Sequence, residues 1–376
     1  MISIKRYHTI DILRTIAIIG MIQVHVVEWL SGYIDYKSPL YQFSELLGSF
    51  PAAMFTFLVG MSLFISIKRQ EDEGVDPGLI ADRNLRRGVA IFFFGLLFLI
   101  FVWMPEEVFA WDILTLIGTA LLVIFPLRIL STKLLLSIAV FVVLISPLIR
   151  QLTNYHSYWN KWGEYAPSFQ MPEVLMGFFA NGYFPLLPWI VFPLLGYVVG
   201  RACFGNKKLC LPKMLLPAGI ILVIISLVMI FILSNVNLPE AAAWYILPFT
   251  FYPASTSFLL LATGINILFF VLFFRFFDLK ENNFDRNSFI IFCNRYSRYS
   301  LTAYVVHHAL FLWWLIGYNY YQGESFRWTL YGYIMPTAQA MLIVLAFIII
   351  FYLLIMAWDK SGGRYSFEWW LKRLTG

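Results

Sequence analysis

The chain has 376 residues, of which 60% are hydrophobic and only 13% charged, with a formal net charge of +6. Soluble domains carry about 25% charged residues. This composition therefore excludes a water-soluble enzyme or a nucleic-acid-binding protein and indicates an all-α, polytopic integral membrane bundle.

In chain order, the first apolar run, 9–29, follows Lys5 and Arg6 and has no small-residue cleavage site. It is expected to stay in place as a span and not to leave as a signal peptide. Within it, Arg14 and His25 stand eleven residues apart. At about 100° per residue that is close to three helical turns, so the two side chains share a face about 16 Å apart. Asp11 and Glu28, each one turn further out, fall on the same stripe. Ionisable groups in a span are kept off lipid, so this stripe is expected to line a protein interior or a wet cavity.

Nine further apolar runs are long enough to cross: 45–67, 88–104, 113–129, 134–150, 174–200, 214–234, 253–275, 300–318 and 334–357. Membrane proteins hold their Lys and Arg on the cytoplasmic side. With the N-terminus inside, the inner segments carry 22 of the 27 basic residues, the outer segments four, and Arg14 lies within a span. That asymmetry predicts about ten transmembrane helices with both termini cytoplasmic, in one domain over 1–376, and a multi-pass protein of the plasma membrane. Cys203, Cys210 and Cys293 fall on the inner side and offer no zinc-ligand spacing, so free thiols are expected.

The longest outer loop, 151–173, is rich in Tyr, Trp and Asn. It suits an interfacial aromatic belt, or a surface on which a sugar stacks. Pro185, Pro188 and Pro193 interrupt the sixth span near its outer end. A broken helix at membrane depth is tolerated where its freed backbone faces a cavity, so the segment is expected to line one, with Asn181 and Tyr183 at its mouth. His307 and His308 lie near the middle of the ninth span. Neighbouring positions are about 100° apart, so one ring can face a cavity while the other meets a neighbouring helix. No acidic or Cys residue stands three or four positions away, and no metal is expected.

Several of these segments carry a resemblance. The opening TIDILRTIAIIGMIQVH (9–25) resembles two related groups of membrane acyltransferases. One is the type-three membrane acyltransferases, marked by an Arg and a His at this spacing in the first span. The other is the heparan-α-glucosaminide N-acetyltransferase family with its prokaryotic relatives. The segment FPLLPWIVFPLLGYVVGR (184–201) is similar to that second family, as are RYSLTAYVVHH (298–308) and the tail GRYSFEWWLKRL (363–374). In the heparan-type enzymes the position of His25 is usually Asn, and the proposed catalytic His comes in the following loop. Residues 31–37 have no His, so the resemblance implies either His25 in that role, as in the type-three group, or a different chemistry.

The resemblance implies an acyl-CoA-dependent membrane acyltransferase of the cell envelope. It would move an acyl group, expected to be acetyl, from cytoplasmic acetyl-CoA to a hydroxyl or amine of an extracytoplasmic glycan or lipid-linked sugar. Its partners would be the donor, the acceptor and the bilayer, with a homodimer also admissible. Such transfer needs a base for the acceptor's proton and a cationic site for the donor's phosphates. His25 is the candidate base, since free imidazole with a pKa of about 6.5 is mostly neutral at pH 7, and Glu28 is the group that would orient it. A histidine held by a helix–helix hydrogen bond is the competing reading. His307 is the other catalytic candidate. Arg14, Arg87, Arg201 and Arg298 are the candidates for coenzyme A; Arg14 would also pair with Asp11, and inside-positive bias alone places the others. Asn181, Tyr183 and Trp189 are the candidate acceptor contacts. A transporter or flippase of a lipid-linked or small polar solute would use the same stripe as a pathway, and a non-catalytic scaffold would keep the fold alone.

Overall fold

The computed structural model describes residues 6–31, 35–160, 163–205, 211–235, 249–279, 284, 287–323 and 334–376. Every regular element among them is helical: α1 (His8–Ser31), α2 (Pro39–Gly48), α3 (Pro51–Asp72), α4 (Pro77–Phe98), α5 (Ile113–Leu127) and α6 (Thr132–Leu152). There follow α7 (Met171–Met176), α8 (Leu186–Trp189), α9 (Val191–Phe204), α10 (Leu211–Asn235) and α11 (Thr256–Phe273). The last are α12 (Ser288–Arg298), α13 (Ser300–Tyr321), α14 (Thr337–Lys360) and α15 (Phe367–Thr375). Cys210 lies outside the described residues, and Cys203 and Cys293 are free and buried.

Among the described residues, nine helical stretches are long and apolar enough to cross a bilayer. The chain is a multi-pass helical membrane protein. All ten expected spans coincide with helices, but α5 has only 15 residues. At 1.5 Å per residue it covers about 22 Å, short of a 30 Å hydrocarbon core. Asp112 caps its start by accepting from the Leu114 amide at 3.2 Å, and Pro126 stands in its last turn. The second expected span is two helices. Pro51 begins α3 after Ser49 and Phe50, and α2 has its own cap, with the Ser38 hydroxyl accepting from the Tyr41 amide at 3.1 Å.

The chain divides into two compact units, one built from Met1–Phe55 with Phe273–Arg373 and the other from Thr56–Leu272 with Leu374–Gly376. In the first unit α1 packs against α2, α12, α13 and α14. Three of its helices begin on carboxylates supplied from elsewhere in the chain. Asp278 accepts from the His8 and Thr9 amides at the start of α1, at 3.0 and 2.9 Å. Asp35 accepts from the Thr337 amide of α14 at 2.9 Å, and Glu368 from the Thr302 amide of α13 at 2.9 Å. The first amides of a helix have no partner within it, and a carboxylate there also meets the positive end of the helix dipole.

Glu368 is a half-buried cap outside the spans, and desolvation holds its carboxyl above the usual 4.5. An acid with a raised folded pKa contributes stability that is fully present below the unfolded pKa and is lost as pH rises through the folded one. The stability of the wild type relative to Glu368→Gln is therefore expected to fall as pH rises from about 4.5. Thermal unfolding of both proteins in detergent across a pH series checks this; a constant difference would contradict it.

In the second unit α3 and α9 meet backbone to backbone. A Cβ on Gly60 would lie 1.8 Å from the Pro193 carbonyl oxygen, and one on Gly196 would lie 1.9 Å from that of Phe57. Small residues permit such approach, and in lipid, where apolar burial adds little, close packing carries helix association. Gly196 belongs to the 184–201 segment singled out in the sequence, and this contact is the physical reason that the segment needs it.

Candidate functional site

The stripe on α1 faces protein, as its spacing implies. At one end Asp11 is buried and receives Arg6 Nε at 2.5 Å and the Ser297 hydroxyl at 2.6 Å. Arg14 donates to the Ser297 oxygen at 3.0 Å, so the hydroxyl of α12 bridges the two charges expected to pair. Arg298, also of α12, is half exposed and shares the Asp359 carboxylate with Arg295, each at 3.1 Å.

Three turns along α1, His25 meets both histidines of α13. Its ring centroid lies 5.8 Å from that of His307 and 4.7 Å from that of His308, which are themselves 4.1 Å apart. Each of the three residues offers a ring nitrogen within 4.8 Å of the others. His307 and His308 therefore do not divide their attention between a cavity and a neighbour, as their spacing suggested; both are fully buried and turn to His25.

Their tautomers are fixed by the backbone. His307 Nδ1 lies 2.8 Å from the Ala303 carbonyl and His308 Nδ1 2.9 Å from that of Tyr304. A carbonyl can only accept, so both Nδ1 atoms carry hydrogen and the lone pairs of the neutral rings sit on Nε2. His307 Nε2 is buried with no hydrogen-bond partner among the described residues. Glu28 Oε2 lies 4.0 Å from His25 Nδ1, and both side chains keep about a third of their surface accessible. Trp29 stacks on His25 at 5.5 Å and meets His308 edge-on at 5.4 Å.

The second unit holds the other candidates. The sixth expected span is broken, as its prolines imply, into α7, a π-turn over Gly177–Asn181, α8 and α9. Pro185, Pro188 and Trp189 line a small cavity with Arg150, Tyr155, Tyr183 and Tyr252. Arg150 is 1% exposed, and its Nη1 and Nη2 have no hydrogen-bond partner among the described residues. Several aromatic residues of the 151–173 loop pack on one another. Tyr155 stacks on Trp159, whose edge contacts reach Tyr165 and Tyr183. Asn181, expected at a mouth, is fully buried; it accepts from Thr153 Oγ1 at 3.0 Å, and its carbonyl takes the Trp159 indole at 3.0 Å. Trp189 is also a core residue, packed among Phe184, Phe192, Phe251 and Phe258.

Arg87 is exposed on α4. Arg201 donates Nη1 to the Leu130 carbonyl at 2.7 Å and Nη2 to that of Arg128. Its fork closes the carbonyl end of α5 and is not turned toward a phosphate.

The model of the family described as heparan-alpha-glucosaminide N-acetyltransferase, catalytic, matches residues 6–227. The chain belongs to that family. It is accordingly a membrane protein of an acetyltransferase family. No curated protein matches the chain.

The family match takes in Arg14, His25, Glu28, Arg87, Asn181, Tyr183, Trp189 and Arg201, while His307, His308 and Arg298 lie beyond it. The structure nevertheless brings His307 to His25, so the two catalytic candidates form one cluster. Two participants were not singled out. Trp29 follows Glu28 directly, but nothing in its position announces a ring stacked on His25. Arg150 was counted among the outer basic residues, and its burial is visible only once the aromatic loop folds over it. The expectation of no metal rested on local spacing, which cannot see a third imidazole arriving from α1.

Proposed function

We propose that the protein is an acetyl-CoA-dependent membrane acetyltransferase. It takes acetyl from the cytoplasmic side and passes it to a hydroxyl or amine of an extracytoplasmic glycan or lipid-linked sugar. The observation that carries this reading, within the family already given, is His25 beside Glu28 at one end of a charged stripe that has Arg14 at the other.

In this reading a ring nitrogen of His25 takes the proton of the acceptor as its oxygen or nitrogen attacks the thioester carbonyl. The new C–O or C–N bond forms, the C–S bond breaks, and the proton held on His25 passes to the coenzyme A sulfur. Glu28 steadies the imidazolium formed in between, as a carboxylate beside a general base does. Arg14 and Arg298 offer cationic groups to the donor's phosphates.

The test is release of free coenzyme A from acetyl-CoA by the purified protein in nanodiscs, with glucosamine-terminated and acidic sugars as acceptors. Acceptor-dependent release supports the reading. Movement of a polar solute across proteoliposomes with no acyl-CoA requirement would replace it with the transporter.

The direction of transfer depends on topology, which follows here from the basic-residue asymmetry. The native cysteines are poor reporters because Cys203 and Cys293 are buried. Single cysteines at exposed positions serve better. In a background without native cysteines, Glu106→Cys should react with an impermeant maleimide on intact cells, while Glu73→Cys should react only after permeabilisation. The opposite pattern would reverse the orientation.

A further inference from the structure

We propose that His25, His307 and His308 form a binding site for a divalent first-row transition-metal ion of the borderline class to which zinc belongs. The proposal does not rest on the acetyltransferase reading. Three imidazoles converge, each with a ring nitrogen within 4.8 Å of the others. A three-histidine zinc site has Zn–N bonds of 2.0–2.1 Å, which puts its ligand nitrogens about 3.4 Å apart. Small rotations of the three rings close that difference.

The surroundings are those that a metal-binding histidine needs. Such a residue donates its other ring N–H to a carbonyl or carboxylate, which fixes the ring and strengthens the ligand. The Ala303 and Tyr304 carbonyls already do this for His307 and His308. Glu28 Oε2, 4.0 Å from His25 Nδ1, adds a negative charge beside the cluster. His307 Nε2, fully buried and unpartnered, points to a ligand independently of the convergence. A lone pair left bare inside a span is an unfavourable arrangement unless something takes it up.

The donor set selects the ion. Magnesium and calcium require oxygen ligands, whereas imidazole suits zinc, copper, nickel and iron. Three nitrogens leave a tetrahedral ion with one open position, where water or another oxygen ligand completes the set. An ion held there also takes the lone pair that His25 would use as a base. The metal-bound and proton-accepting states of the cluster are therefore mutually exclusive, and zinc restrains any transfer that the free cluster performs.

The experiment uses the full chain without a polyhistidine tag, stripped with EDTA in detergent and titrated with Co²⁺. One Co²⁺ per chain is expected, with the visible absorption of a four- or five-coordinate nitrogen-bound ion, displaced by one equivalent of Zn²⁺. Zinc is also expected to raise the melting temperature of the unaltered protein, a readout that needs no variant. His307→Gln and His308→Gln should each weaken cobalt binding at least 100-fold while remaining monodisperse. Absence of stoichiometric cobalt or zinc binding to the wild type would overturn the site, as would unchanged affinity in both variants. Stripped protein that transfers acetyl but binds no metal would leave the proposed function standing and remove the site. Metal-binding protein without transfer would do the reverse.

Discussion

His25→Ala is expected to lower acetyl transfer by about 10²–10⁴-fold, the usual cost of removing a general base, while the protein stays folded and still binds coenzyme A. The folding part of this expectation follows from exposure: the His25 side chain keeps about a third of its surface accessible. The binding part follows from distance, because Arg14 lies three turns away on α1, where Ser297 of α12 joins it to Asp11. Glu28→Gln should cost less, since it removes a charge 4.0 Å from the ring and leaves the ring in place. Initial rates of coenzyme A release, with calorimetric binding of coenzyme A to each variant, separate the two effects. Near wild-type transfer by His25→Ala would exclude it as the base and turn attention to His307.

The other large effect lies far from any chemistry. Gly60→Val and Gly196→Val are expected to abolish accumulation of folded protein. The first side-chain atom of each would fall under 2 Å from a carbonyl oxygen of the facing helix. A clash with backbone cannot be relieved by a rotamer change, so α3 and α9 must separate. Overpacking a core typically costs about 1–3 kcal/mol even when side chains can give, and here they cannot. Gly317→Val on α13, where a Cβ would meet open space, is the control and should accumulate normally. Fluorescence-detected size exclusion of tagged variants measures both; a monodisperse peak from Gly60→Val would refute the backbone contact.

Much of this was legible in the sequence because membranes simplify the reading. Every expected span coincides with a helix, since a run of apolar residues in lipid has few other ways to satisfy its backbone. The stripe from Asp11 to Glu28 was legible for the same reason: helical period is fixed, and charge in lipid must face protein. The illegible part concerns partners, which periodicity does not specify. Nothing near Thr302 predicts that Glu368 caps it, although both lie in segments that drew notice separately. Nothing near Asn181 shows that its side-chain oxygen accepts from Thr153, and Arg201 reads as a free cation until the carbonyls of Arg128 and Leu130 are seen to occupy it. The His25–His307–His308 cluster is the intermediate case, in which each residue was conspicuous but their meeting was not.

The first unit draws on both ends of the chain, and that fixes an order of events during synthesis. α1 emerges with Asp11, Arg14 and its leading amides, but the Asp278 carboxylate that receives the Thr9 amide comes 269 residues later. At a translation rate of about 5–20 residues per second, the first helix waits roughly 15–50 s for that partner. Ser297 and Glu368 come later still. The Thr56–Leu272 part of the second unit is in the ribosome's output before the first can close. Throughout that interval the residues destined to meet in the histidine cluster are one imidazole in the bilayer and two not yet made.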